Sequence, residues 1–277
     1  MSLQIQGAGA LRKLRIQLDS PAVYKMPVGD HEIDLNGLLG KPIRLNFLGA
    51  INCIHCGRKT NKSFNQGYCF PCFKSLPECD SCIMSPEKCH FHLDTCRDPL
   101  WGEQQCMQGH VVYLANSSGL KVGITRASQV PTRWLDQGAV QALPILRVAT
   151  RYQSGLIETA FKEHVNDRTN WRAMLKNNVE MLNMEAERDR LFELLDEPLR
   201  GLEHRFGVTA IQRLHQAEEV ALKYPVIDYP KKITSLSFDK TPIVEGTLQG
   251  LKGQYLMLDS GVINIRKFAA YDIELLA

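Results

Sequence analysis

All nine cysteines of this 277-residue chain fall between Cys53 and Cys106, and that clustering constrains the fold more than any other feature. In a reducing compartment thiols at this density serve metal binding rather than a disulfide framework. Cys53-Ile-His-Cys56-Gly57 and Cys69-Phe-Pro-Cys72 are two Cys-x2-Cys knuckles separated by twelve residues. Together they supply four thiolates, the soft tetrahedral set that zinc favours, and the two-residue spacing lets both sulfurs of a knuckle reach one ion at roughly 2.3 Å. Gly57 suits the tight turn behind Cys56. With all four positions filled by protein, this Zn2+ is expected to be structural rather than catalytic.

A second set follows: Cys79, Cys82, Cys89, His90, His92, Cys96 and Cys106, with His110 just beyond. These are more donors than one ion requires. A second structural Zn2+ is expected on Cys79, Cys82, Cys89 and Cys96 or Cys106, with His90 as the main alternative. A surplus thiol would be a small buried hydrophobe or a redox group.

Hydrophobic periodicity gives an α+β chain in five segments. Residues 1–50 form an N-terminal β-unit, with alternation at Leu14–Leu18 and Ile43–Phe47. Residues 51–109 form the zinc-binding cysteine-rich module. Residues 110–171 form a central α+β domain: a hairpin turning at Asn116-Ser117-Ser118-Gly119, a helix through Thr132–Gln137 closed by Gly138, a strand over Ile145–Thr150 and a helix from about Ser154. Residues 172–224 form a helical segment with stripes at Leu175, Val179 and Leu182 and at Leu191, Leu195, Leu199 and Leu202, interrupted at Pro198. Residues 225–277 return to β as a small barrel-like unit, and the two β-units are candidates to pair with each other.

The formal charge of +3 identifies no partner, but its distribution is informative. Leu35 to Pro77 contains no acid, yet carries Lys41, Arg44, Arg58, Lys59, Lys62 and Lys74; Gln104 to Leu135 is also acid-free and carries Lys121, Arg126 and Arg133. Such stretches either attract phosphate or meet acidic partners folded in from elsewhere. No run approaches the roughly 18 apolar residues of a membrane span, and Met1–Ala10 has no signal-peptide pattern, so a cytoplasmic protein without a membrane partner is expected.

Val112-Tyr113-Leu114, a short turn, Lys121-Val122-Gly123-Ile124-Thr125, then Arg133 and Glu158 within Leu156-Ile157-Glu158-Thr159-Ala160 resemble the GIY-YIG nuclease pattern, in the branch whose second motif reads lysine-isoleucine-glycine. The resemblance implies Tyr113 as proton acceptor or relay for the attacking water, Arg133 as stabiliser of phosphate charge, and Glu158 as ligand of Mg2+ or Mn2+. Lys121 stands where the second tyrosine would be; it can bind phosphate but cannot replace a phenol in every proton-transfer step. His110–Arg126, Pro131–Ala139 and Thr169–Leu175, with the cysteine layout, also resemble a bacterial domain-of-unknown-function family, 2797, which brings no activity. The leading expectation is a zinc-binding, nucleic-acid-binding module. The alternatives are a metal-dependent endonuclease and a zinc-stabilised protein-interaction scaffold.

Overall fold

The computed structural model describes residues 3–165 and 168–277, and the chain divides into two compact units. Residues 1–74, 175–177 and 223–277 make the first; residues 75–174 and 178–222 make the second. The chain opens with β1 (Ile5–Ala10), β2 (Arg15–Gln17), β3 (Val23–Val28), β4 (His31–Asp34) and β5 (Pro42–Ile51), followed by α1 (Phe70–Ser75). Next come α2 (Ser81–Met84), α3 (Pro99–Gln105), β6 (His110–Asn116), β7 (Leu120–Arg126), α4 (Thr132–Asp136), β8 (Gln141–Val148) and α5 (Arg151–Lys162). After α6 (Trp171–Leu175), α7 (Met184–Leu194), α8 (Asp196–Phe206), β9 (Ile211–Arg213) and β10 (Val220–Ala221), the chain ends with β11 (Ile243–Lys252), β12 (Tyr255–Leu258), β13 (Gly261–Asn264) and β14 (Tyr271–Leu276).

The first unit joins the two ends of the sequence in one sheet, ordered β1-β14-β5-β11-β12-β13. The alternation of β5 sends Ile43 and Leu45 inward, and β14 sends Tyr271, Ile273 and Leu275 to the same core. Antiparallel register puts Leu45 opposite Leu275 on one side and Val244 on the other. The expected C-terminal barrel-like unit is therefore corrected: β1 and β13 end the strand order and do not pair with each other among the described residues, so the sheet stays open. The physical reason is that β5 occupies the edge of β11 that a self-contained C-terminal barrel would have to close upon. A separate sheet, β2-β3-β4, completes the strands of this unit.

In the second unit β6 is buried along its whole length between β7 and β8, while β9 and β10 share the outer edge of β8. Ile157 and Phe161 of α5, Leu191 and Phe192 of α7, and Leu199 of α8 form one core with Val112, Leu114, Leu143 and Ile145 of the sheet. Each such side chain contributes about 1.5–3 kcal/mol on burial. The expected helix through 172–224 is interrupted. Residues 178–183 carry no regular structure, and two buried amides take up their backbone groups in place of a helix ladder: Gln141 accepts from Leu182 N (3.0 Å) and donates to Leu182 O (2.8 Å), and Asn116 Nδ2 donates to Glu180 O (2.8 Å). Pro198 sits in the first turn of α8, where its missing N–H has no helical partner to lose, so the break falls at Leu195. No helix among the described residues is long and apolar enough to cross a membrane.

One charge lies inside the first unit. Lys252 is fully buried, donates to Asn177 Oδ1 (2.7 Å), and stands 5.5 and 5.6 Å from the ring centres of Tyr224 and Tyr229. Burial brings its amine down to about 8 from 10.5. Below pH 8 the lysine is charged in both states and the burial penalty is fully present. Between about 8 and 10.5 the folded protein gives up a proton that the unfolded chain retains, so this group makes stability rise with pH. Replacing Lys252 with Met keeps the volume and removes the charge, while solvent can hydrate the exposed Asn177. Lys252→Met is expected to gain about 1–3 kcal/mol at pH 7 and to flatten the rise between pH 8 and 10, read by urea unfolding across that range. A loss of stability at pH 7 would show that the two ring contacts outweigh desolvation.

Candidate functional site

Cys53, Cys56, Cys69 and Cys72 present their sulfurs within 4.8 Å of one another, so this cluster can hold a metal ion. Its scaffold begins where β5 ends. Asn52 N donates to Ala270 O (2.9 Å), Cys53 N to Arg58 O (2.9 Å), and Gly57 N to Cys53 O (2.9 Å), which closes the first knuckle; Gly57 takes φ +69 there. Ile54 N donates to Gly67 O (2.8 Å) and ties the first knuckle to the second, whose Cys72 lies on α1. A Cβ at Gly67 would stand 2.7 Å from the Ile54 side chain, so glycine lets the two arms close. Phe64 packs on Phe70 and Phe73 with ring centres 5.4 and 5.8 Å away, giving the module a small apolar base.

The sulfur spacing fits a tetrahedral ion. Cys56 Sγ and Cys69 Sγ are 3.7 Å apart, far beyond an S–S bond, and the edge of a tetrahedron with metal–sulfur distances of about 2.3 Å is about 3.8 Å. Burial alone would push the Cys53 thiol up, but backbone N–H groups of Cys56, Cys69 and His55 outweigh it and bring it down to about 6. Burial and the three neighbouring sulfurs push Cys72 strongly the other way. Four close thiols cannot all ionise without a cation to offset their charge.

Of the second set, Cys82, Cys89, Cys96 and Cys106 line one small cavity; Cys79, itself buried, does not line it. Asp80, Cys82 and His90 bring ligand atoms within 4.8 Å of one another. His92 instead lies against Tyr152, with ring centres 5.5 Å apart.

The residues carried by the nuclease resemblance gather in the second unit. Tyr113, on the buried strand β6, donates to Gln137 Oε1 (3.2 Å), and Lys121, on β7 and also buried, donates to the same oxygen (2.5 Å). Gln137 is the C-cap of α4, the helix that carries Arg133. Complete burial pushes the Tyr113 phenol up to about 12, against the charge of Arg133 and with the charge of Glu158. Glu158 lies on α5 and pairs with Lys162 one turn on, at 3.3 Å. Tyr113, Arg133 and Glu158 therefore stand close enough to feel one another's charge. Trp134 packs edge-on to Tyr113 at 6.0 Å, and Trp134 Nε1, His110 Nε2 and Arg151 Nε are buried without a hydrogen-bond partner. Such orphaned atoms are uncommon in folded proteins and mark a place where water or a ligand belongs. An open cavity of 720 Å³ at the far end of α5 is lined by Lys162, Glu163, His164, Glu187 and Arg190, and not by Tyr113 or Arg133.

Gln137 and Arg151 were not singled out from the sequence. Gln137 precedes the glycine that closes α4, a position usually read only as a helix end. Arg151 begins α5, and its Nη2 donates to Ile83 O (2.6 Å) while Cys82, Cys106, Glu158 and Arg133 all act on its charge. Contacts that join segments seventy residues apart leave no periodic trace.

The model of the family described as "Protein of unknown function (DUF2797)" matches residues 40–273. No curated protein and no solved structure matches the chain.

Two glycines test the packing with opposite signs. A Cβ at Gly123 on β7 would lie 2.6 Å from Tyr113 Oη and 2.7 Å from Cζ, whereas one at Gly201 in α8 meets nothing within 4 Å. Gly123→Ala is expected to lower stability by about 1–3 kcal/mol through overpacking. Gly201→Ala should raise it by about 0.5–1 kcal/mol, because alanine is the better helix former. Thermal unfolding of both variants is the check; a neutral Gly123→Ala would mean that Tyr113 can leave its position freely.

Proposed function

The chain belongs to the family of proteins of unknown function DUF2797, and from that premise, which assigns no chemistry, we propose that it is a zinc-organised protein that binds nucleic acid. The observation that carries the reading is the surface of the four-cysteine module. Arg58, Lys59, Lys62 and Lys74 are exposed there, and none pairs with a carboxylate among the described residues. Arg44, by contrast, is paired with Glu245 at 2.6 Å, so its part of the acid-free stretch is neutralised by the C-terminal strand it lies beside. Lys62 and Lys74 also lie over the rings of Phe64 and Phe70, at 5.3 and 6.0 Å, which holds two cations beside aromatic faces on which bases can stack. Zinc is the metal that four thiolates with tetrahedral spacing select. Its role is to hold these loops rigid, since a region this short buries little apolar surface of its own.

A second reading, a magnesium- or manganese-dependent endonuclease, is favoured by the mutual approach of Tyr113, Arg133 and Glu158. Glu158 would hold the ion as a hard oxygen ligand and Arg133 would meet the phosphate. Two features favour binding over cleavage. A phenol held near 12 is a poor proton acceptor at neutral pH, and Lys121 in the place of the second tyrosine is already committed to Gln137.

Protein purified without chelator is expected to contain zinc, and Cys53→Ser/Cys56→Ser should lose one equivalent by elemental analysis; a wild-type chain with no zinc would overturn the reading. Binding of a short labelled DNA or RNA, followed by fluorescence anisotropy, should fall steeply between 50 and 200 mM salt, with a slope of about −0.7 to −0.9 per phosphate contact. Lys59→Glu/Lys62→Glu should weaken it about tenfold or more. Binding indifferent to salt would count against a phosphate interface. If the wild type cuts nucleic acid with added Mg2+ or Mn2+ and Glu158→Gln does not, the endonuclease reading replaces the binding one.

A further inference from the structure

The segment between α1 and β6 contains almost no regular structure. Outside the four-residue α2 and the seven-residue α3 it consists of turns and single 3-10 turns at Pro77–Cys79, Pro86–Lys88 and Phe91–Leu93. Much of its apolar surface lies outside, with Met84, Leu93 and Leu100 79%, 62% and 71% exposed, while Pro86 is buried and Phe91 and Trp101 line its small cavity. Sulfur lies inside with them, for Cys89 and Cys106 are buried, and Cys82 and Cys96 join them around a cavity of about 20 Å³. That volume is close to one water or one ion.

We propose that Cys82, Cys89, Cys96 and Cys106 hold a second metal ion, zinc by the chemistry of four thiolates, and that this ion fixes the start of α5. Cys79 is excluded, although its Cys-x2-Cys spacing with Cys82 suggests a knuckle, because it does not line the cavity. Asp80 and His90 also line the cavity, with ligand atoms within 4.8 Å of Cys82 Sγ, whereas no three of the four thiols are grouped that closely, so the sulfur cage would draw in on binding the ion. Asp80 and His90 are already engaged. Asp80 caps α2 through Cys82 N and pairs with Arg97 (2.7 Å), and His90 Nδ1 is 2.8 Å from Thr95 Oγ1 while its Nε2 faces Asp80 at 3.7 Å. A carboxylate and an imidazole held in this way are outer partners that orient a sulfur cage rather than members of it.

The consequence for α5 follows from three contacts. Arg151 N donates to Cys106 O (2.8 Å), and Arg151 Nη2 to Ile83 O, one residue from Cys82. A Cβ at Gly155 would fall 2.5 Å from Glu87 N and 2.6 Å from Pro86 C, so the turn between Cys82 and Cys89 lies directly on the helix backbone. A loop that grips the first turns of α5 transmits its rigidity to Glu158, one turn further on. Metal here would therefore position Glu158 without touching it.

Elemental analysis of the full chain should give about two zinc per chain. Cys82→Ser/Cys106→Ser should retain about one and Cys79→Ser about two, and Cys53→Ser/Cys56→Ser should also retain about one. Amide exchange across Arg151–Lys162 should accelerate by about tenfold or more in Cys82→Ser/Cys106→Ser and not in Cys53→Ser/Cys56→Ser. One zinc in the wild type, loss of zinc from Cys79→Ser, or unchanged exchange in α5 on loss of the second ion would each overturn the proposal. Should Cys82→Ser/Cys106→Ser fail to fold, zinc-edge absorption spectroscopy of the unmutated protein decides the ligands: a shell of sulfur alone supports the set, and a nitrogen or oxygen contribution overturns it.

Discussion

The first unit depends on the main-chain pairing of β5 with β11 on one edge and β14 on the other. These hydrogen bonds join residues about 200 positions apart, as in Leu45 with Val244 and Leu275. Closing such loops is entropically expensive, although the cost grows only slowly with length, and the return is a continuous ladder with an apolar face of Ile43, Leu45, Ile273 and Leu275. The four-cysteine module leaves the end of β5, and its first backbone contact beyond the strand is with Ala270, just ahead of β14. The four-cysteine loop is thus anchored on a strand paired along both edges.

The two cysteine groups show how differently thiols can be displayed. In Cys53–Cys72 the order comes from backbone geometry: two knuckles, a glycine at φ +69, another glycine that admits Ile54, and cross-donation between the arms. In Cys79–Cys106 the thiols are spread over short helices and the turns between them, and the neighbouring donors Asp80 and His90 are occupied by a cap, an ion pair and a hydroxyl contact. Charge also differs around them. The first module presents exposed cations and no carboxylate of its own, whereas the second has Asp80 against Arg97 and Arg151 beside the thiols.

The Tyr113 group is governed by desolvation. A phenol and an ammonium, from the paired strands β6 and β7, converge on one amide oxygen, Gln137 Oε1. Such a cluster favours its neutral phenol and keeps its lysine close to an acceptor, so its ground state resembles a structural network more than a poised proton relay. Arg133 and Glu158 act on it with opposite charges.

The sequence by itself determined the local features. Cys-x2-Cys spacing, the hairpin of β6 and β7, the glycine-terminated helix α4 and the alternation of β5 and β14 are each readable from a few neighbouring residues, because a metal tetrahedron, a turn and a pleat have short fixed periods. Tertiary structure alone decided which strands share a sheet, so that an expected barrel became an open sheet with β5 inserted, and it alone turned 178–183 from helix to irregular chain tied to Gln141 and Asn116. It also sorted the cysteines, leaving Cys79 outside the cavity that its knuckle partner lines, and brought Gln137 and Arg151 to positions that no periodicity foretells. The reason is common to these cases: each is settled by which distant group occupies an edge, an amide or a cavity first, and that competition takes place between segments whose separation along the chain carries no information about their meeting.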